Sequence, residues 1–244
     1  AIAAFMLVAS VNYALFYSAI RMRSFKVFAR SVEFLAYVGA IVLTTFLLTF
    51  LVLGHHGGDL ALAFRKALFM VATTISSTGY GTDDFMAYPG LALWLVLTLM
   101  FLGGCAGSTA GGIKVERVVL MGKLAWAELR RSFRPALVHV VRMGRTVIQP
   151  SALTDVSVFV AIYFAALALM TGLVSAVEDV SLPASFGAAL TCLSNMGPAP
   201  FHVGSDNFAS YSAFSKVVFI LGMLLGRLEF FALLALLVPD FWRR

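Results

Sequence analysis

Charge is scarce in this sequence. Only 12% of its 244 residues are Asp, Glu, Lys or Arg, while 61% are hydrophobic; soluble domains carry about 25% charged residues. That balance excludes a water-soluble globule. It also excludes a disordered chain, which needs low hydrophobicity and high charge. Cysteine is almost missing: Cys105 and Cys192 alone cannot form a disulfide scaffold. No Gly-x-Ser-x-Gly or His-Glu-x-x-His motif is present and no carboxylate pair suggests catalysis, so the chain reads as a non-enzyme. The net charge of +6 on so apolar a chain points to cationic loops at a membrane, not to a nucleic-acid surface.

Long apolar runs are what is there. A hydrocarbon core about 30 Å thick needs about 20 apolar residues in helix. Phe34–Leu53 and Val156–Val177 meet that need without a charge. Phe85–Ile113 carries no charge but is broken by glycines, and Ser215–Val238 holds Arg227 and Glu229 in its middle. Ile2–Ile20 reads as one more span. It lacks an initiating Met and a basic leader, so it is not a signal peptide, and the chain reads as starting inside a larger protein.

Lys and Arg mark cytoplasmic loops. They cluster at Arg21, Arg23, Lys26 and Arg30, again at Lys114, Arg117, Lys123, Arg130, Arg131, Arg134, Arg142 and Arg145, and at Arg243 and Arg244. The opposite loops carry Asp59, Asp83, Asp84, Glu178, Asp179 and Asp206. Two apolar pieces, Ala67–Ile75 and Ala184–Leu193, are too short to cross. Each lies between spans whose far ends are cytoplasmic. Each therefore enters from outside and returns outside, as a half-helix followed by a non-helical return.

The two pieces resemble each other. Thr73-Thr74-Ile75-Ser76-Ser77-Thr78-Gly79 is matched by Thr191-Cys192-Leu193-Ser194-Asn195-Met196-Gly197, 118 positions later. Downstream, Gly81-Thr82-Asp83-Asp84-Phe85 parallels Gly204-Ser205-Asp206-Asn207-Phe208. Such self-similarity marks a repeated architecture. Non-helical backbone at membrane depth is tolerated only where it is buried in protein or lines a watery cavity. An extended return offers carbonyl oxygens, which can replace the water shell of a potassium ion, and glycine permits the positive φ that turns them inward. Thr78-Gly79-Tyr80-Gly81 is close to the Thr-Val-Gly-Tyr-Gly filter of potassium channels.

Ser76–Phe85, the run Gly103–Lys114, Asn195-Met196-Gly197-Pro198, Gly226-Arg227-Leu228-Glu229 and Phe241-Trp242-Arg243 together resemble the C-terminal half of a TrkH-type potassium-uptake subunit of the Trk/Ktr/HKT superfamily. The resemblance covers nearly the whole chain. It implies an all-α polytopic membrane protein of repeated span–pore half-helix–filter loop–span units. Residues 1–32 would hold the last span of a preceding repeat and a basic loop, 33–122 the third pore repeat, 123–151 a basic cytoplasmic linker and 152–244 the fourth repeat. Two repeats do not close a four-sided filter, so the N-terminal half of such a subunit is expected elsewhere.

Filter coordination is expected from backbone carbonyls around Ser77, Thr78, Gly79 and Tyr80 and around Asn195, Met196, Gly197 and Pro198, with potassium held at Ser77, Thr78, Asn195 and Met196. Five glycines fall within Gly103–Gly112. The segment is no P-loop, since Ile113 stands where Lys is required. One reading is close helix packing through Gly103, Gly107 and Gly111. The other is a helix break, because each Gly weakens a helix by about 1 kcal/mol relative to Ala. The resemblance implies an intramembrane gating loop here, made of Gly103, Gly104, Gly107, Ser108, Thr109, Gly111 and Gly112. Arg227 lies 11 residues past Lys216, about 16 Å along a helix, near mid-membrane. It reads either as half of a structural ion pair or as a fixed charge below the filter; the resemblance implies the second.

The expected function is potassium uptake across the cell inner membrane, by a symporter or channel-like route. The competing reading is a non-conducting membrane scaffold with packed, dry returns. No cofactor is expected, with potassium as the transported ligand. Expected partners are the lipid bilayer and, by resemblance, cytoplasmic nucleotide-binding regulatory subunits docking on the basic stretch and a second copy of the full-length subunit; nucleic acid is not expected. Asp83, Asp84 and Asp206 flank the outer mouth and would concentrate cations there. His55–His56 has no acid or cysteine at ligand spacing and reads as an exposed loop pair.

Overall fold

The computed structural model describes residues 1–134, 141–144, 146–201, 208–228 and 230. Ten α-helices, a short hairpin and two 3-10 turns are seen among them. Helices α4 (Val32–Val52) and α8 (Pro150–Val177) are long and apolar enough to cross a membrane. Each has a defined start. The Ser31 hydroxyl accepts from the Phe34 N–H at the head of α4, and Pro150 opens α8, where a missing N–H costs nothing. Three of their buried threonines return their hydroxyls to the preceding turn: Thr44 to the Ala40 carbonyl at 2.6 Å, Thr49 to Thr45 at 2.7 Å and Thr171 to Leu167 at 2.8 Å. A hydroxyl satisfied within its own helix is compatible with an apolar surrounding.

Beyond each long helix the chain turns back. Asp59 accepts from the Ala61 and Leu62 N–H groups and starts α5 (Leu60–Ile75). Ser181 does the same for α9 (Leu182–Leu193) through the Ala184 N–H. Both helices end in a non-helical return. The first expectation, a half-helix confined to Ala67–Ile75, is corrected: α5 is 16 residues long and includes Arg65 and Lys66. The Asp59 cap extends it, and the Lys66 ammonium is spent on the Thr82 carbonyl. The return then leads through a 3-10 turn (Phe85–Ala87) to α6 (Gly90–Phe101), and in the second unit through Phe208–Ser210 to α10 (Ala213–Leu228).

Two cores result. Leu48, Val52, Val71, Ile75 and Val96 are fully buried in the first unit; Tyr163, Val174, Leu190 and Leu193 in the second. Helix α6 touches α9 and so joins them. The outward faces carry exposed Val42, Leu43, Phe46, Leu47 and Phe50 on α4, Leu169 on α8 and Ile220 and Leu221 on α10. An apolar exterior over two packed cores is the arrangement a lipid solvent requires. The chain is a multi-pass membrane protein of α-helices.

Two further expectations are corrected. Ile2–Ile20 is not one straight helix: α1 (Ile2–Ala9) and α2 (Tyr13–Met22) meet at 89°. The Asn12 side chain caps α2 by accepting from the Ala14 N–H, which commits the chain to a second helix start at that point. Phe85–Ile113 is helical only over Gly90–Phe101. Polar α7 (Val115–Phe133) follows and runs across the boundary drawn at residue 122. A hairpin then pairs β1 (Arg142–Met143) with β2 (Thr146–Val147). The short α3 (Lys26–Arg30) precedes α4. Asp59, Glu178 and Asp179 follow the C-terminal ends of α4 and α8, and Asp83 joins them beside His56, an acidic end; Lys26 and Arg30 precede α4, and the hairpin, tied to α7 by Lys123 and the Arg142 carbonyl, precedes α8, a basic end. Arg145, Asp206, Glu229, Phe241, Trp242, Arg243 and Arg244 lie outside the described residues.

Candidate functional site

The two returns have the same backbone. After α5, the Ser76, Ser77 and Thr78 N–H groups donate to the Ala72, Thr74 and Thr73 carbonyls. After α9, Ser194, Asn195 and Met196 donate to Leu190, Cys192 and Thr191, the same three bonds 118 positions later. Dihedral angles repeat as well. Ser77 and Asn195 are left-handed, at φ 53° and 55°, and Gly79 and Gly197 follow at 81° and 112°. Left-handed backbone is costly for a residue with a Cβ. Holding Ser77 and Asn195 in it signals an over-determined local geometry.

The returns also touch. A Cβ placed on Gly79 would stand 2.0 Å from the Met196 carbonyl oxygen, and one on Gly197 would meet the Gly79 Cα at 3.8 Å. Gly79 and Gly197 border one cavity of about 740 Å³ with Asp83, Asp84 and Pro198 at the acidic end. Thr78 and Tyr80 are exposed, Ser77 and Asn195 partly so, and Met196 is buried. Several side chains are tied back: Thr78 Oγ1 lies 2.6 Å from Ser76 Oγ, Asn195 Nδ2 donates to the Met223 carbonyl at 3.1 Å, and Ser194 Oγ lies 2.8 Å from the Tyr163 hydroxyl. The Pro198 carbonyl accepts from Thr191 Oγ1 at 2.6 Å. It is thus already engaged by α9, whereas the other expected coordinating carbonyls accept no hydrogen bond among the described residues.

Gly103–Gly112 is not helix. Its two ends are pinned side by side: Gly103 N–H donates to the Ile113 carbonyl at 2.8 Å and Ile113 N–H to Phe101 at 2.9 Å. Between them the segment loops out beside the returns. The Gly111 N–H donates to Ser77 Oγ at 3.2 Å, and a Cβ on Gly111 would stand 2.3 Å from the Ser194 carbonyl oxygen. The loop therefore contacts both returns, on the side where α5 and α9 end. Glycine at 111 is required by that approach. Gly107 and Gly112 adopt φ 66° and 71°, and Ser108 Oγ donates to the Cys105 carbonyl at 2.6 Å.

The α1–α2 break holds this loop from the other side. Carbonyls at the C-terminus of a helix lack internal partners. The loop supplies them: Cys105 N–H donates to Ser10 at 2.8 Å, and Thr109 donates to Ala9 from its N–H at 3.4 Å and its hydroxyl at 3.1 Å. A buried carboxylate, Glu33, accepts from the Ala106 N–H. The Lys114 ammonium, also buried, donates to the Ala110 carbonyl. Lys114 thus belongs to the loop rather than to an exposed basic surface. The Arg227 guanidinium donates to the Thr109 carbonyl. Sequence reasoning missed Glu33 and the break at Ser10–Asn12. A single acid heading an apolar run, and a Ser-x-Asn inside one, were the available signals.

These features meet in one place: paired returns, a glycine loop against both, and a cation on α10 touching the loop. Residues 57–243 match the TrkH family, described as a cation transport protein. The chain belongs to the TrkH family. It is 35% identical to the Trk system potassium uptake protein TrkH of Salmonella typhimurium over 99% of its own length and 50% of that protein. It is 34% identical to TrkH of Escherichia coli K12, with the same coverage. The crystal structure of the potassium transporter TrkH from Vibrio parahaemolyticus superposes on 98% of this chain and 52% of that one, with a TM-score of 0.89 and 32% identity. The chain spans about half the length of these TrkH relatives.

Proposed function

We propose that this chain carries two of the pore repeats of a potassium-uptake protein of the inner membrane. Carbonyl oxygens of Ser77, Thr78, Gly79 and Tyr80 and of Asn195, Met196, Gly197 and Pro198 coordinate the dehydrated ion, with Ser77, Thr78, Asn195 and Met196 foremost. The observation that carries the reading is the meeting of two returns with one backbone conformation at Gly79 and Met196. Two unrelated loops have no reason to share three hydrogen bonds and two pairs of positive φ angles. Helices α5 and α9 end at the returns, so their negative dipole ends favour a cation there. The relatives' names as potassium uptake proteins support potassium as the ion.

In this reading the acidic end faces outward and the basic end faces the cytoplasm. Asp83 and Asp84 raise the local cation concentration at the entrance. Ions move inward with about 2.3 kcal/mol per 100 mV per charge. The loop from Gly103 to Gly112, including Gly104, Gly107, Ser108, Thr109 and Gly111, is the gate below the returns, and Arg227 is its positive latch. The basic end, with α7, is the docking surface for nucleotide-binding regulatory subunits, and the full-length subunit pairs with a second copy.

Rubidium uptake by the full-length subunit that carries this chain tests this reading, and the variants below are made in that subunit. Gly79→Ala should lower uptake or alter the rubidium-to-sodium ratio at unchanged expression. A scaffold with dry returns would lose stability only, with no ion flux to alter.

A further inference from the structure

We propose that His55, His56 and Asp83 form a binding site for a zinc-class transition-metal ion on the rim of the acidic-end cavity. The three side chains come from two loops that the sequence keeps apart: the Leu53–Asp59 turn after α4, and the segment between the first return and the Phe85–Ala87 turn. One ligand atom from each lies within 4.8 Å of the others. In a tetrahedral zinc site with ligand distances of about 2.0–2.2 Å, ligand atoms stand about 3.3 Å apart. His56 Nε2 and Asp83 Oδ2, at 3.1 Å, already do. His55 is exposed, so rotation of its ring can close the rest.

The His56–Asp83 contact is not a finished hydrogen bond. His56 Nε2 is buried and has no hydrogen-bond partner among the described residues despite its closeness to the carboxylate. A ring nitrogen beside a carboxylate oxygen but out of line with it is the arrangement of two ligands flanking an ion. Asp83 is itself held from behind. The Tyr88 hydroxyl donates to Oδ2 at 3.0 Å and the Asp84 N–H to Oδ1 at 3.2 Å. Outer partners of this kind orient metal-binding carboxylates. The His55 ring packs edge-on to Tyr88 with centroids 5.5 Å apart. Two imidazoles and one carboxylate suit zinc, nickel or copper; calcium and magnesium prefer all-oxygen sites. Water would complete the coordination.

Asp83 lines the same cavity as Gly79 and Gly197. A divalent ion there would offset the negative rim and, if the chain conducts potassium as proposed above, slow cation entry.

The test is zinc binding to the purified, tag-free protein in detergent, read by competition with a chromophoric chelator. One zinc per chain is expected. His56→Ala and Asp83→Ala should each weaken binding at least roughly tenfold, and Asp83→Cys should restore it. His139→Ala with His202→Ala, which removes the two other histidines, should leave it intact. Binding that survives His55→Ala with His56→Ala, or no stoichiometric zinc at all, overturns the site. The effect on conduction is read separately. Zinc should slow rubidium uptake by the parent and not by the His55→Ala/His56→Ala variant, whose zinc-free uptake reports on conduction alone. Equal zinc sensitivity of the two would overturn the regulatory part.

Discussion

The guanidinium of Arg227 donates a hydrogen bond to the carbonyl of Thr109, 118 residues earlier, and so joins α10 to the glycine loop. The contact unites two features that the sequence offers separately. It also gives Arg227 a partner other than Glu229, which lies outside the described residues. A fixed charge next to a potassium path repels the ion. Two unit charges about 10 Å apart at an effective dielectric near 20 repel by about 1.7 kcal/mol. Arg227→Ala should therefore raise rubidium uptake by an order of about tenfold, and Arg227→Lys by much less. Uptake unchanged at equal expression removes Arg227 from the ion path.

The legible part of this molecule was its repetition. Composition and the match of Ser76–Gly79 to Ser194–Gly197 yield the membrane class, the long helices and the two returns, because lipid imposes length and polarity rules that a sequence displays openly. The loop at Gly103–Gly112 was legible as a break, since glycines oppose a helix. What holds that loop was not. Its anchors, Ala9, Ser10 and Glu33, are distant in sequence, and each bond to it uses a backbone group on at least one side, which no side-chain pattern records. The helix break at Ser10–Asn12 was hidden for the same reason: neither Gly nor Pro marks it. Asp83 likewise completes a cluster with His55 and His56 only once the two loops are folded together.

Gly79→Ala should be far more damaging than Gly39→Ala. The first places a methyl group 2.0 Å from the Met196 carbonyl oxygen at φ 81°, where L residues pay about 1–2 kcal/mol; the second meets nothing within 4 Å. Rubidium uptake should fall at least about tenfold for Gly79→Ala, the factor that about 1.4 kcal/mol represents, and stay near parental for Gly39→Ala. Equal behaviour of the two variants contradicts the contact between the returns.

Glu33→Ala should loosen the glycine loop. A hydrogen bond to a charged group contributes about 1.5–3 kcal/mol, and here it fixes the Ala106 N–H. Cys105, adjacent and fully buried, is the reporter. In a Cys192→Ala background, maleimide should label Cys105 faster in Glu33→Ala than in the parent. Identical labelling rates would show that the carboxylate does not hold the loop.

Glu178 should confer a pH-dependent part of the stability. It accepts from the Ser212 hydroxyl at 2.6 Å and the Ser212 N–H at 2.9 Å, at the start of α10. These bonds, the hydroxyl's first, hold its carboxyl below the ordinary glutamate range. A carboxyl depressed in the folded state stabilises it above the unfolded value of about 4.3, and that stability is lost as pH falls through the folded value. Glu178→Gln should lower Tm at pH 7, and the gap to the parent should close under acid. A gap unchanged down to about pH 3 refutes the linkage.

The central claim is that the two returns share one ion. Anomalous diffraction from crystals of the protein grown in rubidium tests it most directly. The account predicts a rubidium peak within coordination distance of carbonyls from both Ser77–Gly79 and Asn195–Gly197. Well-ordered returns with no peak between them, or a peak bound by neither, would contradict it.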